Sequence, residues 1–171
     1  IFLSRQPEPT PGSAVMVTWE GSRPILVEVQ ALVDEAHGQQ ARRVTVGLEH
    51  NRLAILLAVL HRHGGIATFD QDVFVNVVGG VKVTETGSDL ALLAAVVSSL
   101  RNRVFDSETI IFGEVGLAGE IRPVQSGQER LKEAAKHGFK RAIVPYANAP
   151  KQDMGIAVEA VKQLHEVLEK L

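Results

Sequence analysis

Residues 88–100 read Ser-Asp-Leu-Ala-Leu-Leu-Ala-Ala-Val-Val-Ser-Ser-Leu, and no other stretch limits the possible folds so tightly. As a helix it is apolar almost all round, so it has to be buried on most sides and become the core helix of its domain. The segments around it supply the layers. Residues 14–19 alternate in part and stop at Glu20-Gly21-Ser22, a turn signal, before residues 24–33 resume an apolar pattern, which predicts a β-hairpin. Residues 43–46 read as a short strand. Residues 49–63 place Leu53, Leu56, Leu57 and Leu60 at helical spacing, with Gly64-Gly65 as the stop. Residues 73–78 form a β-branched strand closed by Gly79-Gly80. A strand at 109–112, a helix at 129–137, a strand at 142–144 and a terminal helix at 158–168 complete an alternating pattern, and the expected fold class is α/β (α+β), with mixed sheets and packed helices. No internal repeat or low-complexity tract interrupts it.

A chain of 171 residues with 45% hydrophobic content can bury one sizeable core, so a single domain is expected. Its formal charge of -2 comes from interspersed acids and bases, which excludes a whole-domain basic field. Any contact with DNA has to come from a local patch. The absence of cysteine excludes disulfides, thiolate metal sites and a cysteine nucleophile, and it fits a reducing compartment; a cytoplasmic location is expected. No apolar run approaches the ~18 residues of a membrane span, and the N-terminus lacks a signal-peptide layout, so a soluble chain with no membrane partner is expected. The chain starts at Ile1, and Pro7, Pro9 and Pro11 make residues 1–12 read as a linker from an upstream module, with the domain occupying 13–171. It looks like a piece of a longer protein.

The segment Phe112-Gly113-Glu114-Val115-Gly116-Leu117-Ala118-Gly119-Glu120-Ile121-Arg122-Pro123-Val124, followed at once by Gln125-Ser126-Gly127-Gln128-Glu129-Arg130, packs a strand, glycine turns, a second short strand and a helix start together: a hairpin feeding a helix. This segment resembles the Ser/Lys peptidase domain of Lon proteases. It is more similar to the Lon-like C-terminal domain of the RadA (Sms) family of bacterial DNA repair ATPases. That likeness extends over nearly the whole chain, through Glu20-Gly21-Ser22-Arg23-Pro24, Glu28-Val29-Gln30-Ala31-Leu32-Val33, Gly47-Leu48-Glu49-His50-Asn51-Arg52-Leu53, Val77-Val78-Gly79-Gly80-Val81-Lys82 and Ala134-Ala135-Lys136-His137-Gly138-Phe139.

The Lon resemblance implies a serine nucleophile at the start of a buried helix and a lysine base from a later helix. Such a dyad needs the amine beside the hydroxyl and partly desolvated, so that it can accept a proton near neutrality. Where Lon carries Pro-Lys-Asp-Gly-Pro-Ser-Ala-Gly, this chain has Val83-Thr84-Glu85-Thr86-Gly87-Ser88-Asp89-Leu90. Matching the helix puts Gly87 at the nucleophile position, whereas matching the preceding strand puts Ser88 there. The one-residue difference turns a helical side chain by about 100°. The non-catalytic reading of Ser88 is an N-terminal cap, with Asp89 as a first-turn acid. The count from Gly113-Glu114 runs without gaps and sets Arg130 at the lysine position. An arginine guanidinium binds anions but cannot serve as that base. Lys132 lies roughly 200° further round the helix and is expected to be solvated.

His61 and His63, which with His50 could suggest a metal site, are not spaced to share one helical face and read instead as favourable charges at a helix C-terminus. The glycines at 79–80 and 113–119 lack the Walker form, so this chain should not bind ATP. Arg42, Arg43, Arg101, Arg103, Arg122, Lys132, Lys136, Lys140 and Arg141 are the remaining candidates, for DNA contact, although dispersed basic residues usually form a solvated face. Repetition around a ring would give a modest patch avidity for a polyanion.

By resemblance, the whole protein carries an N-terminal zinc finger and a RecA-like ATPase core, so ATP, Mg and Zn are expected there and no cofactor in this chain. The same resemblance implies a hexameric ring of copies of itself, single-stranded or branched DNA and a recombinase as partners, and work on branched recombination intermediates. Two readings follow: a non-catalytic assembly and DNA-contacting domain, and a Ser/Lys-type endopeptidase with a rearranged dyad.

Overall fold

Gly21 takes a left-handed φ of 63°, and the two-residue turn it forms with Ser22 folds β1 (Ser13–Glu20) back on β2 (Arg23–Glu35) in antiparallel register, Trp19 opposite Pro24 and Glu20 opposite Arg23. This is the expected hairpin, and it seeds the sheet. The computed structural model describes residues 9–171, so the first eight residues of the expected linker lie outside the described residues. β3 (Arg43–Val46) and β4 (Gln71–Val77) extend the sheet beyond β2, while β5 (Thr109–Ile111), β8 (Arg141–Pro145) and β9 (Ala157–Val161) extend it beyond β1, in the order β3-β4-β2-β1-β5-β8-β9. All strands of this sheet except β2 run the same way. The expected α/β class is what the structure has. A separate two-stranded hairpin pairs β6 (Glu114–Val115) with β7 (Ile121–Arg122).

The period of 2 in β1 sorts its side chains. Ala14 and Met16 join one hydrophobic cluster with residues of α1 (His50–Gly64), α2 (Asp89–Arg101) and α4 (Leu164–Leu168), and Val15 and Val17 join a second cluster with α3 (Gly127–Lys136). Helices therefore cover both faces, α3 alone on its side. Every residue of α2 from Asp89 to Ser98 is buried, as its composition demands. Gly65, at φ 70°, closes α1 with its N–H on the carbonyls of Leu60 and His61. The face beyond the reach of α3 leaves Leu32 59% and Val46 55% exposed; Leu32, Phe74 and Val44 lie in register across β2, β4 and β3, with Val46 two residues along β3. No helix among the described residues is long and apolar enough to cross a membrane.

One expected element is wrong. Residues 158–168 are not a single helix: Ala157–Val161 is an edge strand, parallel to β8 with Val158 opposite Ala142, and only Leu164–Leu168 is helical. The Ala and Glu of this stretch favour helix weakly, and pairing along the open edge of β8 overrides that preference. Gln163 then starts α4 through a capping box with Glu166.

Candidate functional site

The carboxyl ends of the co-directional strands gather at one end of the sheet, together with the N-termini of α2 and α3. The chain reaches β5 from α2 on one face and leaves it towards α3 on the other, and such a switch opens a crevice where α/β sheets commonly bind ligands. Here the crevice is filled by Arg130. Its side chain is only 2% exposed, and α3 aims it beneath the end of β1. Nε donates to the Gln125 carbonyl at 2.9 Å, Nη1 to the Val17 carbonyl at 2.7 Å and to Glu85 Oε1 at 2.6 Å, and Nη2 to Glu85 Oε2 at 3.0 Å. The guanidinium carbon lies 6.0 Å from the ring centre of Trp19 and 5.8 Å from that of Phe112. A bidentate carboxylate and two carbonyls between aromatic walls are what allow a full charge to be buried here.

Gly87 sits against this group. A Cβ built on it would lie 3.5 Å from Arg130 Nη1 and 3.0 Å from both Glu85 Oε1 and Val124 Cγ1. Of the two residues left open by the sequence, Gly87 is therefore the one that faces Arg130. Ser88 points elsewhere: its Oγ donates to the Glu85 carbonyl at 3.1 Å, and it lines a cleft of about 450 Å³ with Glu49, Arg52, Lys82 and Leu92. The expected side-chain cap is not formed. Ser88 occupies the N-cap position with a helical backbone, and the tight turn Thr86–Ser88 runs straight into α2. The N–H of Asp89 reaches the Thr86 carbonyl and that of Leu90 the Gly113 carbonyl at 3.1 Å, so the first helical donors are already satisfied.

Asp89 does more than supply charge to the first turn. It is 1% exposed and accepts from both Nε (2.9 Å) and Nη2 of Arg52 and from the Val115 N–H at 3.0 Å. Burial pushes its carboxyl above the usual range, against the bonds from Arg52 and Val115 that favour the ion. The Asp89 bond in turn raises the Arg52 guanidinium. Thr86 Oγ1 donates to Glu114 Oε2 at 2.5 Å, so α1, α2 and the β6–β7 hairpin are tied together beside the crevice. Sequence reasoning missed Arg52 and Glu85 altogether. A usable signal existed for the first, since a carboxylate opening an all-apolar buried helix needs a cation.

The basic candidates do not converge on one patch. Arg42 pairs with Asp72 at 3.1 Å, donates its backbone N–H to the same carboxylate at 2.7 Å and lies 5.3 Å over the Phe74 ring. Those bonds, the backbone one first, hold Asp72 below its ordinary value of 3.8. Arg43 donates to the Gln71 and Thr68 carbonyls, and Arg101 to those of Leu168 and Leu171. Arg122 pairs with Glu120 at 3.1 Å, Lys140 with Glu108 at 3.3 Å and Arg141 with Asp106 at 3.7 Å. Arg103, Lys132 and Lys136 are exposed, and none of them is in an ion pair among the described residues. Lys132 and Lys136 lie on α3, Arg103 beyond the far end of α2.

Comparison with known proteins adds a family and a set of relatives. A family described as subunit ChlI of Mg-chelatase matches residues 27–148. The DNA repair protein RadA of Pseudomonas aeruginosa is 69% identical over 172 residues, covering 100% of this chain and 38% of that protein. RadA of Escherichia coli K12 is 68% identical over 98% of the chain and 37% of its own length, and RadA of Bacillus subtilis is 41% identical over 98% of the chain and 37% of its own length. The chain thus spans about 38% of the length of the curated relatives it matches.

Proposed function

The chain belongs to the family described as subunit ChlI of Mg-chelatase, and from that premise, with relatives that are DNA repair proteins, we propose that it is the non-catalytic, Lon-like domain of a RadA-type DNA repair and recombination ATPase. In this reading it helps copies of the chain assemble into a ring and holds single-stranded or branched DNA, while ATP, Mg and Zn chemistry belongs to other parts of the protein. A recombinase is the protein partner that fits such work.

The observation that carries the reading is the Arg130 plug. At the position where a Lon-type peptidase needs a proton acceptor, a guanidinium is bound to Glu85 and two carbonyls, and the residue facing it is Gly87, which has no hydroxyl. That arrangement can stabilise a fold but cannot deprotonate a nucleophile. For assembly, exposed Leu32, Val44 and Val46 beside half-buried Phe74 form an apolar surface whose burial by a neighbour the hydrophobic effect would favour. For DNA, the exposed Arg103, Lys132 and Lys136, in no ion pair among the described residues, are the most available of the basic candidates.

The test is a salt titration of DNA binding alongside a peptidase assay. Affinity for single-stranded DNA should fall steeply as salt rises, and no cleavage of an unfolded protein should occur. Absence of DNA binding even at low salt would refute the contact role. The rival endopeptidase reading has one observation in its favour, that Ser88 and Lys82 line the same cleft. Cleavage that disappears in Ser88→Ala would establish it.

A further inference from the structure

At the same end of the sheet, a cleft of about 310 Å³ lies between the end of β1 and the turn after β4, lined by Thr18, Trp19, Glu20, Gly79, Gly80, Val81 and Lys82. Trp19 is the only tryptophan of the chain. It is half-buried, with the fixed Arg130 guanidinium 6.0 Å from its ring centre. A ring packed against a buried cation that four hydrogen bonds fix is held in place, so stacking on it costs little ordering. Opposite stand Gly79 and Gly80, both left-handed at φ 88° and 73°. They carry no side chains, and a Cβ on Gly80 would meet nothing within 4 Å, so this wall is open backbone. Lys82 is exposed and, among the described residues, takes part in no ion pair.

We infer that Trp19 is a stacking platform for one unpaired base of single-stranded DNA, with Lys82 bearing on the adjacent phosphate. The inference rests on the DNA-contacting role proposed above and names a site for it that the dispersed basic residues do not supply. The chemistry fits the walls. Every base has a π-face, so an indole accepts any of them without sequence readout, and a lone flexible ammonium suits a phosphate as a point charge. The glycine wall leaves room for the sugar-phosphate backbone to approach.

Because Trp19 is the sole indole, its emission reports this cleft alone. The 171-residue chain is titrated at low salt with fluorescently labelled oligo(dT) and with an abasic oligomer of equal length, following label anisotropy and tryptophan emission. Oligo(dT) should change Trp19 emission where the abasic strand does not. Trp19→Ala should weaken oligo(dT) binding about tenfold. Trp19→Phe, which keeps a stacking face and guards against loss of folding in the alanine variant, should recover most of that loss. Lys82→Ala should lower the slope of log affinity against log salt by about 0.7. If oligo(dT) binds but leaves Trp19 emission as the abasic strand does, or if folded Trp19→Ala binds as tightly as the parent, the platform is refuted while the DNA-contacting role stands. If neither strand binds at low salt, both are refuted.

Discussion

Arg130→Ala should be among the most destabilising single substitutions in this chain. It removes four hydrogen bonds of 2.6–3.0 Å, strands the Val17 and Gln125 carbonyls and leaves Glu85 without its counter-ion. Breaking a buried pair by deleting one partner costs about 3–5 kcal/mol. Glu85 is 28% exposed and can recover some hydration, which argues for the middle of that range, about 4 kcal/mol. For a domain of this size each kcal/mol moves the melting temperature by roughly 2–4 °C, so a fall of about 8–16 °C is expected. The assay is urea denaturation followed by circular dichroism, extrapolated linearly to water, with thermal melts in parallel. Arg130→Lys keeps the charge but loses the planar fork and should cost about half as much. A double-mutant cycle with Glu85→Gln separates the pair from the carbonyl bonds. A loss below about 1 kcal/mol for Arg130→Ala would show that the site rehydrates freely and that the plug is not what closes the crevice.

Removing Arg52 should leave Asp89 buried without its cation: Arg52→Ala is expected to cost about 3 kcal/mol at neutral pH. Because burial raises Asp89 in the folded state, the protonated form is the one folding favours, so this variant should regain stability as pH falls towards the carboxylate range, read from urea midpoints at several pH values. Asp72 and Glu120 act in the opposite sense, since both are held below their ordinary values; the stability they contribute is present at neutral pH and is lost as pH falls through their folded values, so Asp72→Asn should flatten the acid limb of the parent's stability profile. Light scattering across protein concentration should show a ring-sized species, and Val46→Asp should shift it towards monomer; a parent that stays monomeric at all concentrations would place assembly outside this domain. Placing a serine and a lysine together, with Gly87→Ser and Arg130→Lys, should not create peptidase activity, because Glu85, the carboxylate paired with residue 130, holds the amine in its charged form.

Much of this fold is written locally. The Glu20-Gly21-Ser22 turn, the leucine spacing of α1 with its glycine stop, the apolar run of α2 and the glycine-punctuated hairpin before α3 each declare their element, because turn geometry and the periods of helix and strand depend on neighbouring residues alone. What the sequence could not declare are partnerships across long separations. Residues 157–161 became a strand because β8 offered an open edge, and a local reading sees only their helix-compatible composition. Ser88 gave up its capping bond because Gly113 and Thr86 had already supplied carbonyls to the helix start. Glu85 meets Arg130 across 45 residues, and Arg52 meets Asp89 across 37, through a sheet order in which α2 and α3 fall on opposite faces. Which of Gly87 and Ser88 faces the guanidinium was open in the sequence by one residue. Only the packing of α2 against the strand ends closed it, since a helix rotates its side chains by about 100° per residue and tertiary contacts alone fix where that rotation starts.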